Sequence, residues 1–339
     1  MSFAPAATLD AVAAGPRTAP GTDVTPVAGA VHDPAHPRGD AFLDSTVAAP
    51  TLARHAVDER PDALPLPTAG WGAEHALDAV AEARLALPFR LPRAHVVSAL
   101  TTVVLRAGRH AVKVYPPGTD PAHLAVTAEA LAGTPLAVLP VCTPVVTSSG
   151  VVTVSPWITG GRSADWVETG ALLRGFHDLH ADAAVPLWDP LRRVVSQVTG
   201  LPDDAAAVLL DARAALLDAV AGLRSELGVG TVHGDVSPGN TVRSGTTPLL
   251  IDLDFVARAP REYDLTSAAR RFVAGDIDAA AYRGFCAAYG FDVLTWDGRT
   301  VLDRVAELGG VAFRLWDDVH HGRTHDWLDD AVREWRTPL

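Results

Sequence analysis

The segment His233-Gly234-Asp235-Val236-Ser237-Pro238-Gly239-Asn240 sets a carboxylate and a carboxamide five residues apart in a polar loop. Apolar runs flank that loop, and twelve residues beyond Asn240 comes Asp252, in Leu249-Leu250-Ile251-Asp252-Leu253-Asp254. Oxygen donors from Asn240 and Asp252 on adjacent segments suit Mg²⁺, which takes one or two protein oxygens and completes its shell with phosphates and water. Asp235, just ahead of them, is placed to accept a proton from a hydroxyl nucleophile. His233 is expected to position the loop by hydrogen bonding. The two cysteines, Cys142 and Cys286, have neither zinc nor disulfide spacing.

Composition singles out two of the same chemical positions. Of 28 basic residues only Lys113 is lysine, and Asn240 is the one asparagine in 339 residues. In a chain dominated by Ala, Val, Arg, Asp and Pro, a surviving Lys or Asn is a candidate for a position where no substitute serves, to be weighed where chemistry independently asks for it. Taken singly, each residue also has a plain structural reading: Asp235 and Asn240 as turn residues, Lys113 as a solvated strand lysine, Glu129 as an exposed helix position.

The elements that must carry these groups fall into two halves. A helix is expected over His75–Leu87, then β-rich runs at His95–Val97, Thr102–Leu105 and Ala111–Tyr115, the last two joined by Arg106-Ala107-Gly108-Arg109. Asp120-Pro121 opens a helix that ends before Gly133. Strands at Val138–Val141 and Val151–Ser155 complete a small antiparallel sheet. After Gly160-Gly161 the pattern is helical, over Ala171–Ala181, Asp203–Leu227 and from Asp264 to the C-terminus. One hairpin interrupts it, with strands near Gly230–Val232, Thr241–Arg243 and Leu249–Phe255. The first 70 residues hold ten of the 26 prolines without apolar periodicity, and read as a flexible extension. The expected organisation is therefore an extension over 1–70, a sheet-rich lobe over 71–159 and a helical lobe over 160–339, with a ligand cleft between the lobes.

His-Gly-Asp-x4-Asn followed by Ile-Asp-x-Asp resembles the signature of the aminoglycoside phosphotransferase and choline kinase-like family, small-molecule relatives of protein kinases. The resemblance spans roughly Leu91 to Trp335. It implies an α+β, two-lobed, protein-kinase-like fold with a small antiparallel-sheet N-lobe and a mainly helical C-lobe. Protein kinases place Arg between the His and the Asp, and usually Lys two residues after the Asp; Gly234 and Ser237 stand there instead, which favours the small-molecule branch. The family further implies a strand lysine that holds nucleotide phosphates and pairs with a helix glutamate, positions matched by Lys113 and Glu129. By the same resemblance Asn240 and Asp252 hold Mg²⁺ and Asp235 is the catalytic base. Asp264 matches the family's structural aspartate, and equally suits a helix cap. Adenine is expected near Trp157 and Ile158, after Pro156, which has no N–H to offer. The loop over the phosphates, Ser98-Ala99-Leu100-Thr101-Thr102, lacks glycine, and Ser98 supplies a hydroxyl there.

The implied reaction moves the γ-phosphoryl group of ATP or GTP to a hydroxyl of a small molecule. Trp316, Asp317, Asp318, Asp326 and Trp327 interleave carboxylates with aromatic faces near the C-terminus. That pattern suits an amine-bearing, cationic acceptor such as an aminoglycoside, and equally a solvated helix face. Choline, ethanolamine, homoserine, an amino sugar or a macrolide are alternatives within the class. A catalytically silent nucleotide-binding module is the alternative outside it.

The formal charge of −12, from 40 acidic and 28 basic side chains, opposes nucleic-acid and anionic-membrane partners. No apolar run approaches the ~18 residues of a spanning helix. The start, Met1-Ser2-Phe3-Ala4-Pro5, lacks the features of a secretory signal, so a cytoplasmic location is expected.

Overall fold

Alternation along a few short strands builds the sheet-rich lobe. The computed structural model describes residues 62–159 and 163–339; residues 1–61 of the expected extension and the Gly160-Gly161 turn lie outside the described residues. Helix α1 (Ala73–Ala83) precedes β1 (His95–Ala99), β2 (Val103–Ala107) and β3 (His110–Tyr115). Helix α2 (Pro121–Ala130) follows, then β4 (Val145–Thr147) and β5 (Gly150–Pro156). The five strands form one antiparallel sheet in the order β1-β2-β3-β5-β4.

One face of that sheet is a closed core. Val103, Leu105, Val112, Val114, Val152 and Val154 pack with Ala76, Ala79, Val80 and Ala83 of α1. Period-2 alternation turns Lys113 to the opposite face. The register aligns Ser98 with Val104, Val104 with Lys113, and Lys113 with Thr153, so Ser98 and Lys113 share a face two strands apart.

The expected strand at Val138–Val141 is absent. That segment crosses between the lobes: the N–H of Val138 donates to the Leu250 carbonyl at 2.9 Å and that of Leu250 to Leu136 at 2.8 Å, while the N–H of Val141 donates to Val154 of β5 at 2.7 Å. The sheet is completed by β4, whose three residues carry too little periodicity to read from sequence.

The second lobe is helical: α3 (Trp166–Leu179), α4 (Arg192–Gln197), α5 (Asp203–Ala221), then, after the strands below, α6 (Glu262–Ala274), α7 (Ala279–Tyr289), α8 (Arg299–His320) and α9 (Leu328–Trp335). Asp165 caps α3 through a capping box with Glu168. Helices α3 and α7 approach closely at Gly170, where a Cβ would press on the Phe285 carbonyl. Between α5 and α6 lie β6 (Val229–Val232), β7 (Thr241–Ser244), β8 (Thr247–Leu250) and β9 (Ala257–Pro260). Only β7 and β8 form a hairpin; β6 pairs with β9, and residues 253–255 make a 3₁₀ turn instead of a strand. The polar loop thus leaves β6 and re-enters at β7, with both ends anchored in short sheets.

Residues 62–70 touch both lobes, Leu64 packing with Tyr115, Leu124 and Val151 of the sheet-rich lobe and Asp62 and Pro67 meeting the helical lobe. Leu64 is buried, Asp62 pairs with Arg192 at 2.7 Å, and the Pro67 carbonyl accepts the Trp316 indole N–H at 2.8 Å.

Candidate active site

A single buried carboxylate holds the loop from below. Asp264, in the first turn of α6, accepts the backbone N–H of His233 at Oδ2 and that of Gly234 at Oδ1, both at 2.7 Å. His177 on α3 adds a third donor, Nε2 at 2.9 Å from Oδ2, and its Nδ1 lies 2.8 Å from the Tyr289 hydroxyl. An unpaired charge at such a depth would cost several kcal/mol, so the three donors are what make Asp264 tolerable there. Its side chain serves the loop and caps no helix N–H.

Gly234 has φ +86°, and a Cβ there would strike the Phe255 carbonyl oxygen. The turn therefore requires glycine. His233 accepts the Asp235 N–H at Nδ1 (3.3 Å), which leaves Nε2–H to donate to the Ile251 carbonyl at 2.9 Å. Those partners orient the ring, which ties the loop to the end of β8.

Asn240 donates its Nδ2 to both the carbonyl (2.7 Å) and Oδ2 (2.8 Å) of Asp235. With the amide nitrogen turned to Asp235, Oδ1 is the atom left for a ligand. Asp252 sits in the left-handed region at φ +62°, uncommon outside glycine, and begins the 3₁₀ turn. That turn brings Asp252 and Asp254 together on the Lys113 ammonium. Lys113 pairs with Asp252, and reaches Asp254 Oδ2 at 2.6 Å, whose Oδ1 accepts the Tyr115 hydroxyl at 2.7 Å.

These contacts set the protonation states. Burial alone would lower the Lys113 pKa, but Asp254 and Asp252 outweigh it and hold the ammonium well above the ordinary lysine value. Asp252 sits below the usual carboxylate range because Lys113 overcomes its burial. Asp235 moves the other way: crowding by surrounding protein, then the Asp252 charge, push its carboxyl above the ordinary aspartate value. A carboxylate raised beside one depressed is the pattern that separates a proton acceptor from a permanent anion.

The donor set around Asp252 and Asn240 is all oxygen, which fits a hard divalent cation. Among the described residues no group of three His, Cys, Asp or Glu forms a closed metal cage.

The profile of the phosphotransferase enzyme family matches residues 99–308, more than half of the sequence. The chain belongs to this family. It is a small-molecule phosphotransferase of the aminoglycoside phosphotransferase and choline kinase-like kind, with a hydroxyl as acceptor. Solved structures agree on the fold. The phosphotransferase aligns over 78% of its length with 93% of the amicoumacin kinase hAmiN, solved with AMP-PNP, Ca²⁺ and Ami, at TM-score 0.59 and 12% identity. It aligns over 77% with 92% of a choline/ethanolamine kinase family protein from Mesorhizobium loti, at TM-score 0.53 and 17% identity. A microcompartment-associated aminopropanol kinase matches 76% of this chain over 94% of its own, at TM-score 0.52 and 17% identity. No curated protein matches the sequence.

Several site expectations from sequence meet a different arrangement in this phosphotransferase. Glu129 is exposed on α2 and does not pair with Lys113. The buried Leu124 and Thr127 define the inner face of α2, and two residues past Thr127 the helix has turned by about 200°. His123 instead lies beside Asp254 in the cleft wall. At the end of β5 the Trp157 N–H is spent on the Arg109 carbonyl at 2.8 Å, so it is not free to meet a base; Ile158 follows, half-buried. Ser98 is exposed near the end of β1.

The five residues expected to line an acceptor pocket lie elsewhere. Trp316 is buried against Pro67. Asp318 is buried and accepts Trp327 Nε1 at 2.7 Å and Arg323 Nε at 2.9 Å; Asp317 pairs with Arg323 and with His321. Asp326 is exposed. Their charges are used in fastening the end of α8 to the chain that follows it. The cavity that opens at Asp235, about 250 Å³, is lined instead by Leu191, by Tyr263, Ser267 and Arg270 of α6, and by Val305 and Gly309 of α8.

Sequence reasoning missed His177, Tyr115 and Arg270. Tyr115 had a signal, since it lies two residues from Lys113 on the same strand face. His177 follows Leu173 by one helical turn on the buried stripe of α3, a polar residue on an apolar face. Arg270 had none, because its cavity is formed by helices distant in sequence.

Proposed function

We propose that the phosphotransferase moves the γ-phosphoryl group of a nucleoside triphosphate to a hydroxyl of a small acceptor, with Asp235 as the proton acceptor. The observation that carries this reading is the juxtaposition of a carboxylate of raised proton affinity, Asp235, with the Lys113–Asp252 pair at the floor of the cleft. In the transfer, the acceptor oxygen forms a bond to the γ-phosphorus as the bond to the diphosphate leaving group breaks. The hydroxyl proton passes to Asp235.

Lys113 neutralises the donor phosphates, for which it must exchange part of its contact with Asp252. Asp254 and Tyr115 hold the ammonium in place during that exchange. Asn240 and Asp252 would hold Mg²⁺, which supplies further neutralisation of phosphate charge when bound. Asn240 also orients the Asp235 carboxyl through Nδ2. In this reading the base lies against Ile158 and the Trp157 side chain, and Ser98, on the sheet face of Lys113, faces the phosphates.

The expectation of an amine-bearing acceptor rested on carboxylates that lie away from the cavity. Calorimetric titration with Mg-ATP and Mg-GTP, followed by coupled diphosphate release with a panel of hydroxylated acceptors, tests the reading. Binding followed by acceptor-dependent release supports it; absence of nucleotide binding contradicts it.

A further inference from the structure

The cavity beside Asp235 is lined by one cationic side chain, Arg270, that makes no ion pair among the described residues. Tyr263, Ser267 and Arg270 recur at four and three residues along α6, which places them on one face of the helix toward the cavity. Arg270 Nε is inaccessible to solvent and has no hydrogen-bond partner, and Arg270 makes no ion pair among the described residues. Asp303 on α8 feels the Arg270 charge but pairs through Oδ2 with Arg299 at 3.0 Å, and its buried Oδ1 has no hydrogen-bond partner. Asp264 also borders the cavity, but its oxygens are filled by His233, Gly234 and His177. Tyr263 cannot supply a charge, since burial pushes its phenol up to about 12. On the far wall a Cβ at Gly309 would meet nothing within 4 Å, so α8 leaves open space.

The buried Nε is out of an acceptor's reach, but the terminal nitrogens of the planar guanidinium match carboxylate and phosphate oxygens. We propose that the acceptor carries an oxyanion, a carboxylate or a phosphate monoester, which pairs with Arg270 while the acceptor hydroxyl faces Asp235. This rests on the phosphotransfer reading above. Arg270 is then a specificity residue that binds the acceptor remote from the reacting oxygen.

The test compares matched acceptors in coupled diphosphate release by the full chain with Mg-nucleotide: small hydroxy acids and sugar phosphates, each beside its amide, amine or dephosphorylated counterpart. Wild type, Arg270→Ala and Arg270→Lys are run together, with nucleotide binding measured on each. The expected result is turnover of anionic acceptors in preference to their neutral or amine counterparts. KM should rise roughly 10–100-fold in Arg270→Ala, with kcat changed much less and nucleotide affinity kept. Arg270→Lys should fall between, having the charge without the fork, and serves if the alanine variant fails to fold. The hydroxy-acid and sugar-phosphate arms distinguish the two oxyanions. Equal or better turnover of neutral or amine acceptors, or a KM untouched in both variants, overturns the proposal while leaving phosphotransfer intact. Nucleotide binding with no turnover of any anionic acceptor also overturns it. Failure to bind nucleotide overturns the underlying reading as well.

Discussion

Lys113 Nζ lies 2.6 Å from Asp254 Oδ2 and also pairs with Asp252, while Glu129 points to solvent from α2. The ammonium is therefore positioned from the helical lobe and not from the helix of its own lobe. Asp254→Asn should raise the nucleotide KM by about tenfold, the worth of a hydrogen bond to a charged group. Glu129→Gln should change it less than about threefold, as expected of an exposed carboxylate. Steady-state kinetics on the two variants checks the contrast.

Asp264 is the common acceptor for two backbone N–H groups of the loop and for His177. Asp264→Ala would leave three buried donors without a partner, and should destabilise the protein by about 3–5 kcal/mol. Denaturant unfolding measures that loss. Tyr289→Phe removes only the outermost hydroxyl of the network and should cost about 1 kcal/mol.

Gly234→Ala probes the turn geometry. The positive φ and the Phe255 carbonyl both oppose a side chain at this position, so strain of about 1–3 kcal/mol is expected. Because Asp235 is the next residue, turnover should fall more steeply than stability. Comparing kcat with the unfolding midpoint separates the two effects.

Much of this site was legible because its chemistry is local in sequence. His233, Asp235 and Asn240 lie on one loop, and the spacing to Asp252 and Asp264 is short, so residue types in order were enough to mark them. The pairing of β6 with β9 was not legible, since both are four-residue segments whose partner is chosen by the loop between them. Glu129 failed because sequence distance from Lys113 carries no information on helix phase. The acceptor expectation failed because a run such as Trp316-Asp317-Asp318 has the same composition whether its carboxylates face a ligand or fasten a helix end. What decided between them was Arg323, His321 and Trp327 as partners. The cavity walls come from α6 and α8, and which of their residues meet is a property of helix packing.

Asp235 should also trade stability for function. Its folded-state pKa is raised, so its protonated form is favoured in the native state, and stability falls as pH rises through that value. Asp235→Asn removes the effect. The variant's thermal midpoint should exceed that of the wild type near neutral pH without ligands. The difference should shrink as pH falls below the ordinary aspartate value, where both carry a neutral side chain. A midpoint lower than wild type at neutral pH would contradict the assigned direction.

The role of Asp235 in transfer is tested most directly by single-turnover phosphoryl transfer to a competent acceptor, wild type beside Asp235→Asn, with Mg-nucleotide affinity measured on both. The variant should lose at least about 10²-fold in the transfer rate, the order of general-base catalysis, while nucleotide affinity stays within a few-fold. A variant that transfers at the wild-type rate with nucleotide bound would show that Asp235 does not take the proton, and the assignment of the site would fall.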